Sequence, residues 1–250
     1  MAAVVNDVLE DSVYDAQRTT LLDVIEERNR SLSKKSMLHR LVYLAKFRSP
    51  KTGRDELGPY YEKQLRAAHA SNGLQGEHIT GLLLIYQNHV VHIMEGSSEM
   101  LMQMIRGLDG QTSNMTGLFI ETKVLIVSHD IPSRLYETWQ YRVLTMTLAR
   151  LEEYKTHETI ETTVIESLTT LLKLGSHIAK QPKVHRKAVL DSLQEKVPEL
   201  LLQQDVIVYL LQSKELCTPS QYLEAYDSPL NVVLDADLTW PIATRLYPYN

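Results

Sequence analysis

The fold of this chain is decided by residues 79–96, which read ITGLLLIYQNHVVHIMEG. Two apolar runs flank a short polar turn at Gln87 and Asn88, and this pattern predicts a β-hairpin. Both runs are apolar at consecutive positions, so we expect both faces of each strand to be buried. The second run also contains His92, at a position where a buried strand normally carries an aliphatic side chain.

The segments around the hairpin alternate between strand and helix. Residues 39–47, HRLVYLAKF, predict a central strand, and residues 57–71 place apolar groups at helical spacing until Asn72 and Gly73 end the helix. A second helix follows the hairpin, capped by Ser97 or Ser98, and residues 117–127 and 138–145 predict further strands. The order βαββαββ, with two helices on one face, predicts an α+β domain of the ferredoxin-like plan over residues 38–148.

Residues 149–215 predict a helical extension. Apolar residues recur at helical spacing between Ile160 and Leu171, and Gly175 is expected to end this helix. Residues 187–196 and 199–212 predict two more helices. The last one is too apolar to be exposed all round, so we expect it to lie against the sheet or against a partner. Residues 1–37 form a polar leader, with a short amphipathic helix at residues 21–30.

Residues 216–250 differ in composition from the rest of the chain. They combine several prolines with large aromatic side chains, which are the residue types that anchor interfaces. We interpret them as an extended docking arm for other proteins; the alternative is an arm folded back on its own helices. The predicted partner-binding residues are Tyr222, Tyr226, Trp240, Tyr247 and Tyr249.

Composition excludes several classes of function. The formal net charge of -5 supplies no basic excess for a nucleic acid. The single cysteine, Cys217, excludes an internal disulfide, and no apolar run approaches the roughly 18 to 20 residues that cross a bilayer. The first residues lack the pattern of a signal peptide. We therefore expect an intracellular protein that binds neither nucleic acid nor membrane.

The residue types needed for metal binding or catalysis are present but poorly arranged. His89 and His92 are three apart on a strand and point to opposite faces, so they cannot bind one metal ion together. We find no nucleophile with a nearby base, and Ser97 and Ser98 are explained as helix caps. We expect no metal site and no enzymatic activity. Glu95 is expected to tether a loop.

Four short elements, in this order, are similar to motifs of the BLUF family, the blue-light sensors that use flavin. They are RLVY at 40–43, ITGLL at 79–83, MEG at 94–96 and RLYETW at 134–139. The resemblance implies a ferredoxin-like flavin-binding fold. It places Tyr43 at the photoactive tyrosine, His92 at the family's glutamine and Leu74 at its asparagine. Arg134, Tyr136 and Trp139 match the element before the last strand.

The resemblance also shows what has changed. In the family, a glutamine amide relays electron and proton transfer from the tyrosine by exchanging a donor for an acceptor. An imidazole has no carbonyl oxygen for that exchange, and Leu74 cannot hold a flavin ring by hydrogen bonds. We therefore expect no FAD or FMN, and a vestigial pocket at Tyr43, Leu74, His92 and Trp139 in which His92 is a hydrogen-bonded core residue. The alternative is a flavin-binding sensor with altered photochemistry.

The degenerate pattern, together with a long helical second half, is similar to BLUF-like proteins of animals. This resemblance implies expression in testis, in cells that build a flagellum. The function it implies is that of a non-enzymatic structural subunit of a larger protein assembly. The expected location is the cytoplasm or the axoneme of a cilium or sperm flagellum.

Overall fold

The structure is a computed structural model that describes residues 19–31, 37–71, 78–145, 159–182 and 184–228. The chain divides into two units, Met1–Met37 and Leu38–Asn250. The first unit contains helix α1 (Leu21–Ser31), which confirms the helix predicted at residues 21–30. Its first turn is held by the Asp23 carboxylate, which accepts hydrogen bonds from the Thr20 N–H and hydroxyl group.

The second unit is built on a five-stranded sheet. In chain order its elements are β1 (His39–Phe47), α2 (Pro50–Ser71), β2 (Thr80–Ile85), β3 (His89–Gly96), α3 (Ser98–Ser113), β4 (Phe119–Ser128) and β5 (Trp139–Val143). The strand order is β4-β1-β3-β2-β5. All neighbours are antiparallel except β2 and β5, which are parallel. The predicted α+β, ferredoxin-like order βαββαββ is confirmed.

Helices α2 and α3 cover one face of the sheet. Tyr43 of β1 and Leu83 of β2 lie in one buried cluster with Tyr61 of α2 and Leu108 of α3. The buried residues of α3 recur at helical spacing and include Leu101, Met104, Ile105 and Leu108. The contacts with α2 and α3 account for the apolar residues on one face of the hairpin.

The helices after residue 159 cover the opposite face. They are α4 (Ile160–Lys180), α5 (Arg186–Asp191), α6 (Leu193–Lys196) and α7 (Gln204–Gln212), with a 3-10 turn at Pro198–Leu200. Sheet residues Val42, Leu84 and Ile93 share a buried cluster with Leu174 of α4 and Leu210 of α7. The apolar segment at residues 199–212 is thus buried against the sheet, which is one of the two outcomes expected for it.

Two predicted helix bounds are wrong. α4 continues past Gly175 to Lys180, because Gly175 is a packing position: a Cβ there would lie 2.3 Å from the Leu135 side chain. α2 begins at Pro50 and not at Leu57, and it contains Pro59. Pro50 suits the first position of α2, because the N–H that proline lacks would have no partner there and the φ of proline is already helical.

The extended conformation predicted for residues 216–250 is wrong for its first part, which forms helix α8 (Pro219–Tyr226). A capping box between Thr218 and Gln221 satisfies the backbone at its start, with Pro219 in the first turn. Tyr222 is 9% exposed and belongs to the same buried cluster as the inward side chains of α3. Arg106 of α3 pairs with Asp227 just after α8. Trp240, Tyr247 and Tyr249 lie outside the described residues.

We expect Gly81→Ala to destabilise the second unit by at least about 2 kcal/mol. Gly81 has a φ of +152°, and a Cβ there would lie 2.1 Å from the Ile93 carbonyl oxygen. That oxygen belongs to the backbone of the neighbouring strand and cannot move aside. Urea unfolding measures the effect. In the control Gly107→Ala, no atom lies within 4 Å of the new methyl group; the free energy of unfolding should rise by about 0.5–1 kcal/mol. Equal effects would contradict the close approach at Gly81.

Candidate functional site

Three of the residues predicted for the vestigial pocket meet under α2. Tyr43 and His92 are direct partners across β1 and β3, and the Tyr43 hydroxyl oxygen lies 2.9 Å from His92 Nδ1. Trp139 of β5 donates from Nε1 to His92 Nε2 over 2.9 Å. Tyr61 of α2 completes the group, with its hydroxyl oxygen 2.5 Å from that of Tyr43. We call Tyr43, Tyr61, His92 and Trp139 the aromatic cluster. Leu74 lies outside the described residues.

The donors in the aromatic cluster fix the tautomer of His92. An indole N–H can only donate a hydrogen bond, so His92 Nε2 must carry a lone pair to accept the bond from Trp139. In a neutral imidazole the proton then lies on Nδ1, which donates to the Tyr43 hydroxyl group. Both ring nitrogens of His92 are therefore occupied by protein partners.

Burial keeps the aromatic cluster uncharged. His92 is fully buried, and the loss of solvation lowers its pKa to about 3. Burial also raises the pKa of the Tyr43 and Tyr61 hydroxyl groups well above the usual value for tyrosine. Near neutral pH the cluster is therefore a chain of hydrogen bonds between neutral groups.

The residues of this face do not fit a flavin. The Tyr61 ring lies 4.8 Å from the His92 ring, and Trp139 packs against Tyr141 at 5.8 Å. A Cβ at Gly58 would lie within 2.4 Å of the Tyr141 ring, so that ring rests on the backbone of α2. Aromatic side chains thus fill space between the sheet and α2. His92 lies at the position where the resemblance places a glutamine amide, and both nitrogens of its imidazole already have protein partners.

Tyr61 is the member of the cluster that the sequence did not reveal. Its position in the apolar repeat of α2 predicts an inward side chain. The repeat does not show which group the hydroxyl would meet, because that depends on how α2 crosses the sheet.

Glu95 anchors the loop that leads to Trp139. Its carboxylate is fully buried, and one oxygen accepts from Arg40 Nε at 2.9 Å and Nη2 at 2.6 Å. The other oxygen accepts the backbone N–H groups of Leu135 at 2.8 Å and Tyr136 at 3.2 Å. Arg134 donates to the Glu95 carbonyl oxygen at 2.8 Å. The predicted tethering role of Glu95 is confirmed, and the tethered segment is the RLYETW element.

The other histidine of the hairpin faces a different helix. His89 Nδ1 lies 3.3 Å from Gln204 Nε2 of α7, and burial lowers the pKa of His89 to about 4. In the described part of the chain, no three side chains of the metal-binding types come together in a way that could hold a metal ion. Among the described helices, none has the length and apolar character needed to cross a membrane.

The strand order, and the meeting of Tyr43, His92 and Trp139 in one cluster, agree with the BLUF-like α+β domain predicted from the sequence. The chain belongs to the family of Testis-expressed protein 47, whose model matches residues 37–228. That match covers well over half of the chain.

Several solved structures of BLUF proteins are similar to this chain at low identity. BlrB, a BLUF protein in its dark state, is 20% identical, with 44% of this chain and 73% of that chain covered and a TM-score of 0.32. BlrP1 BLUF is 17% identical, with 68% of this chain and 98% of that chain covered and a TM-score of 0.33. A bacterial light-regulated adenylyl cyclase is 18% identical, with 62% of this chain and 39% of that chain covered and a TM-score of 0.33. This chain therefore spans about two fifths of that protein.

We expect the buried, neutral His92 to make the stability of the domain pH-dependent. In the unfolded chain a histidine titrates near 6.5, whereas folding lowers the pKa of His92 to about 3. Between these values the unfolded state binds a proton that the folded state does not. The contribution of His92 to stability is therefore fully present above about pH 6.5, and it falls by about 1.4 kcal/mol per pH unit between there and the folded pKa of about 3.

Urea unfolding of the wild type and His92→Gln, from about pH 7 to about pH 4.5, measures this dependence. On acidification, the free energy of unfolding of the variant should fall less steeply than that of the wild type. Below about pH 6.5 the difference should be about 1.4 kcal/mol per pH unit, which corresponds to one bound proton. His185→Gln removes an exposed histidine and should behave like the wild type. A pH dependence unchanged in His92→Gln would show that His92 is not held neutral by the fold.

Proposed function

We propose that this protein is a non-enzymatic structural subunit of a larger protein assembly, in which a BLUF-like domain has lost flavin photochemistry. The observation that carries this proposal is the aromatic cluster, in which every hydrogen-bonding atom of His92 is occupied by Tyr43 or Trp139. A buried pocket that loses its ligand is costly unless side chains refill it. The aromatic cluster supplies both the packing and the hydrogen bonds.

The geometry favours this reading over an altered flavin sensor. A flavin could form a hydrogen bond with Tyr43 or His92 only by replacing a bond within the aromatic cluster, since the polar atoms of both side chains already have protein partners. Each replacement would leave a buried polar group of Tyr61 or Trp139 without its partner, at a cost of about 1–3 kcal/mol for each group. A sensor would need binding energy to offset this loss before any photochemistry began.

The assembly we propose is the sperm flagellar axoneme, and the location we propose is the cytoplasm or the axoneme of a cilium or flagellum. Two features support this proposal. The family name records expression in testis, and the exposed Tyr226 is 68% accessible at the end of α8, where the chain enters its aromatic C-terminal segment. Large aromatic side chains at the surface are typical of interfaces between proteins.

We expect the purified protein to retain no flavin. The measurement is a visible absorption spectrum after incubation with FAD or FMN and desalting, with BlrB treated in parallel as a flavin-binding control. His92→Gln should also stay colourless, because it restores the amide but leaves Tyr61 and Trp139 in place. A flavin band that survives desalting in the wild-type protein would overturn the loss of cofactor. The sensor would then become the better description, and spectra under blue light would follow.

We expect a tagged copy, expressed in the developing sperm of a laboratory animal, to stay with the axoneme after detergent extraction. Subunits built into an assembly resist this treatment, whereas freely diffusing proteins are released. Immunoblots of the soluble and axonemal fractions measure the distribution. Recovery entirely in the soluble fraction would contradict a structural role in the axoneme.

A chain that ends at Ser228 tests the docking role of the last residues. This cut keeps α8, whose Tyr222 belongs to the buried core, so the domain should still fold. We expect this shorter chain to shift to the soluble fraction, since it lacks Trp240, Tyr247 and Tyr249. Retention equal to that of the full chain would assign docking to the domain itself.

A further inference from the structure

An open cavity of about 730 Å³ lies at the end of the sheet where β1, β2 and β5 finish. Cavities that hold small molecules have volumes of about 300–1,000 Å³, so this one is large enough for such a ligand. Its walls come from the junction of β1 with α2, from the turn of the hairpin and from the last residue of β5. None of the described residues that line it belongs to the aromatic cluster.

Two arginines bring positive charge to this cavity. Arg48 follows β1 and Arg54 lies near the start of α2, and neither forms an ion pair with a described residue. Arg40, by contrast, is neutralised by Glu95. Among the described lining residues the only carboxylate is that of Asp55, which is exposed. The described part of the cavity therefore carries more positive than negative charge.

The guanidinium group of Arg54 has donors to spare. Its Nη2 donates to the Leu144 carbonyl oxygen at 3.1 Å, which holds the side chain in the cavity wall. Its Nε is buried and has no hydrogen-bond partner among the described residues. A buried donor without a partner costs free energy, and a ligand that supplies an acceptor recovers it. With five N–H donors, the group can keep its bond to Leu144 and still donate to two oxygens of an anion.

The start of α2 adds to the positive potential of the cavity. Ser49 and Pro50 line the cavity where the helix begins, and the first turn of α2 contains no acidic residue. The first backbone N–H groups of a helix have no acceptor within the helix and carry a partial positive charge. They therefore strengthen the attraction for an anion that the two arginines already exert.

The cavity also has an apolar side and walls that are held in place. Pro50 and Val143 line it, and Val143 is 39% exposed although it is a large aliphatic residue. The hairpin turn is fixed to β1 by the Phe47 N–H, which donates to the Asn88 carbonyl oxygen at 3.0 Å. A ligand with an apolar part would cover Val143 without a rearrangement of these walls.

We propose that this cavity binds a small organic phosphate, namely a phosphate monoester with an apolar carbon part. Arg54 and Arg48 would donate to the phosphate oxygens beside the start of α2, and the carbon part would lie on Pro50 and Val143. A phosphate monoester carries about two negative charges near neutral pH, which matches two arginines better than a single carboxylate does. The inference goes beyond the proposed function, since it assigns a ligand to a site outside the aromatic cluster.

The test is a titration of the isotope-labelled full chain with phenyl phosphate near neutral pH, followed by NMR. We expect saturable shifts in backbone amide signals around the cavity, such as those of Gly53, Arg54 and Asn88. Phenol lacks the phosphate and should produce no such shifts, and benzoate should bind at least about tenfold more weakly. No saturable shifts at the cavity, or equal binding of either control compound, would overturn the proposal.

A matched pair of variants separates the cavity from general attraction to basic side chains. Arg54→Gln should weaken the binding of phenyl phosphate at least about tenfold, since charge-assisted hydrogen bonds are lost. Arg66→Gln changes an arginine of the same helix whose side chain is 83% exposed and does not line the cavity, so its affinity should equal that of the wild type. Unchanged affinity in Arg54→Gln, or an equal loss in Arg66→Gln, would contradict the assignment.

Two further substitutions keep the test decisive if Arg54→Gln fails to fold. Asn88→Asp preserves the shape of a turn residue but places a negative charge in the lining, so it should weaken binding. Asp55→Asn removes a negative charge from the lining and should strengthen binding. Affinities that both equal that of the wild type would overturn the proposal. Such a failure would leave the proposed structural role intact, because that role is judged by the flavin spectrum and by retention on the axoneme.

Discussion

The central strands of this domain are apolar on both faces, and this constraint determines the rest of the architecture. Every residue of β2 and β3 is buried, which requires a layer of helices on each side. Exposure of a single side chain such as Leu84 or Ile93 to water would cost about 1.5–3 kcal/mol. The C-terminal helices are therefore part of the same fold as the sheet. A BLUF-like sheet with only α2 and α3 would leave the cluster of Val42, Leu84 and Ile93 open to solvent.

Within this apolar sheet, β3 carries His92 and Glu95, whose polar side chains are satisfied in different ways. His92 stays neutral and takes part in a chain of hydrogen bonds. Glu95 pairs with Arg40, which is 12% exposed, and accepts backbone N–H groups from the loop before β5. The two arrangements are linked through the RLYETW element. Glu95 accepts hydrogen bonds from backbone N–H groups near its start, and His92 accepts one from Trp139 at its end. The RLYETW element is thus attached to β3 at both of its ends.

Helix α8 joins the last described residues to the core of the domain. Its Tyr222 is buried with residues of α3, and Arg106 of α3 pairs with Asp227 just after the helix. Tyr226, at the end of the same helix, is exposed. The last described helix is therefore anchored to α3 and also presents one aromatic side chain to solvent.

The sequence by itself determined the strands, the order βαββαββ in which they alternate with helices, and the place of a histidine inside the apolar run of β3. Strand patterns such as HRLVYLAKF are local, and the consecutive apolar residues of the hairpin already require cover on both faces. The sequence did not determine that α4 runs through Gly175, that residues 219–226 are helical, or that Tyr61 meets Tyr43. These features depend on contacts between residues far apart in the chain: Gly175 against Leu135, Tyr222 against the core beside α3, and α2 across the sheet. Local patterns predict the strands and most of the helices, but only packing decides where some helices end and which side chains meet. The contacts of the aromatic cluster are decided by this packing.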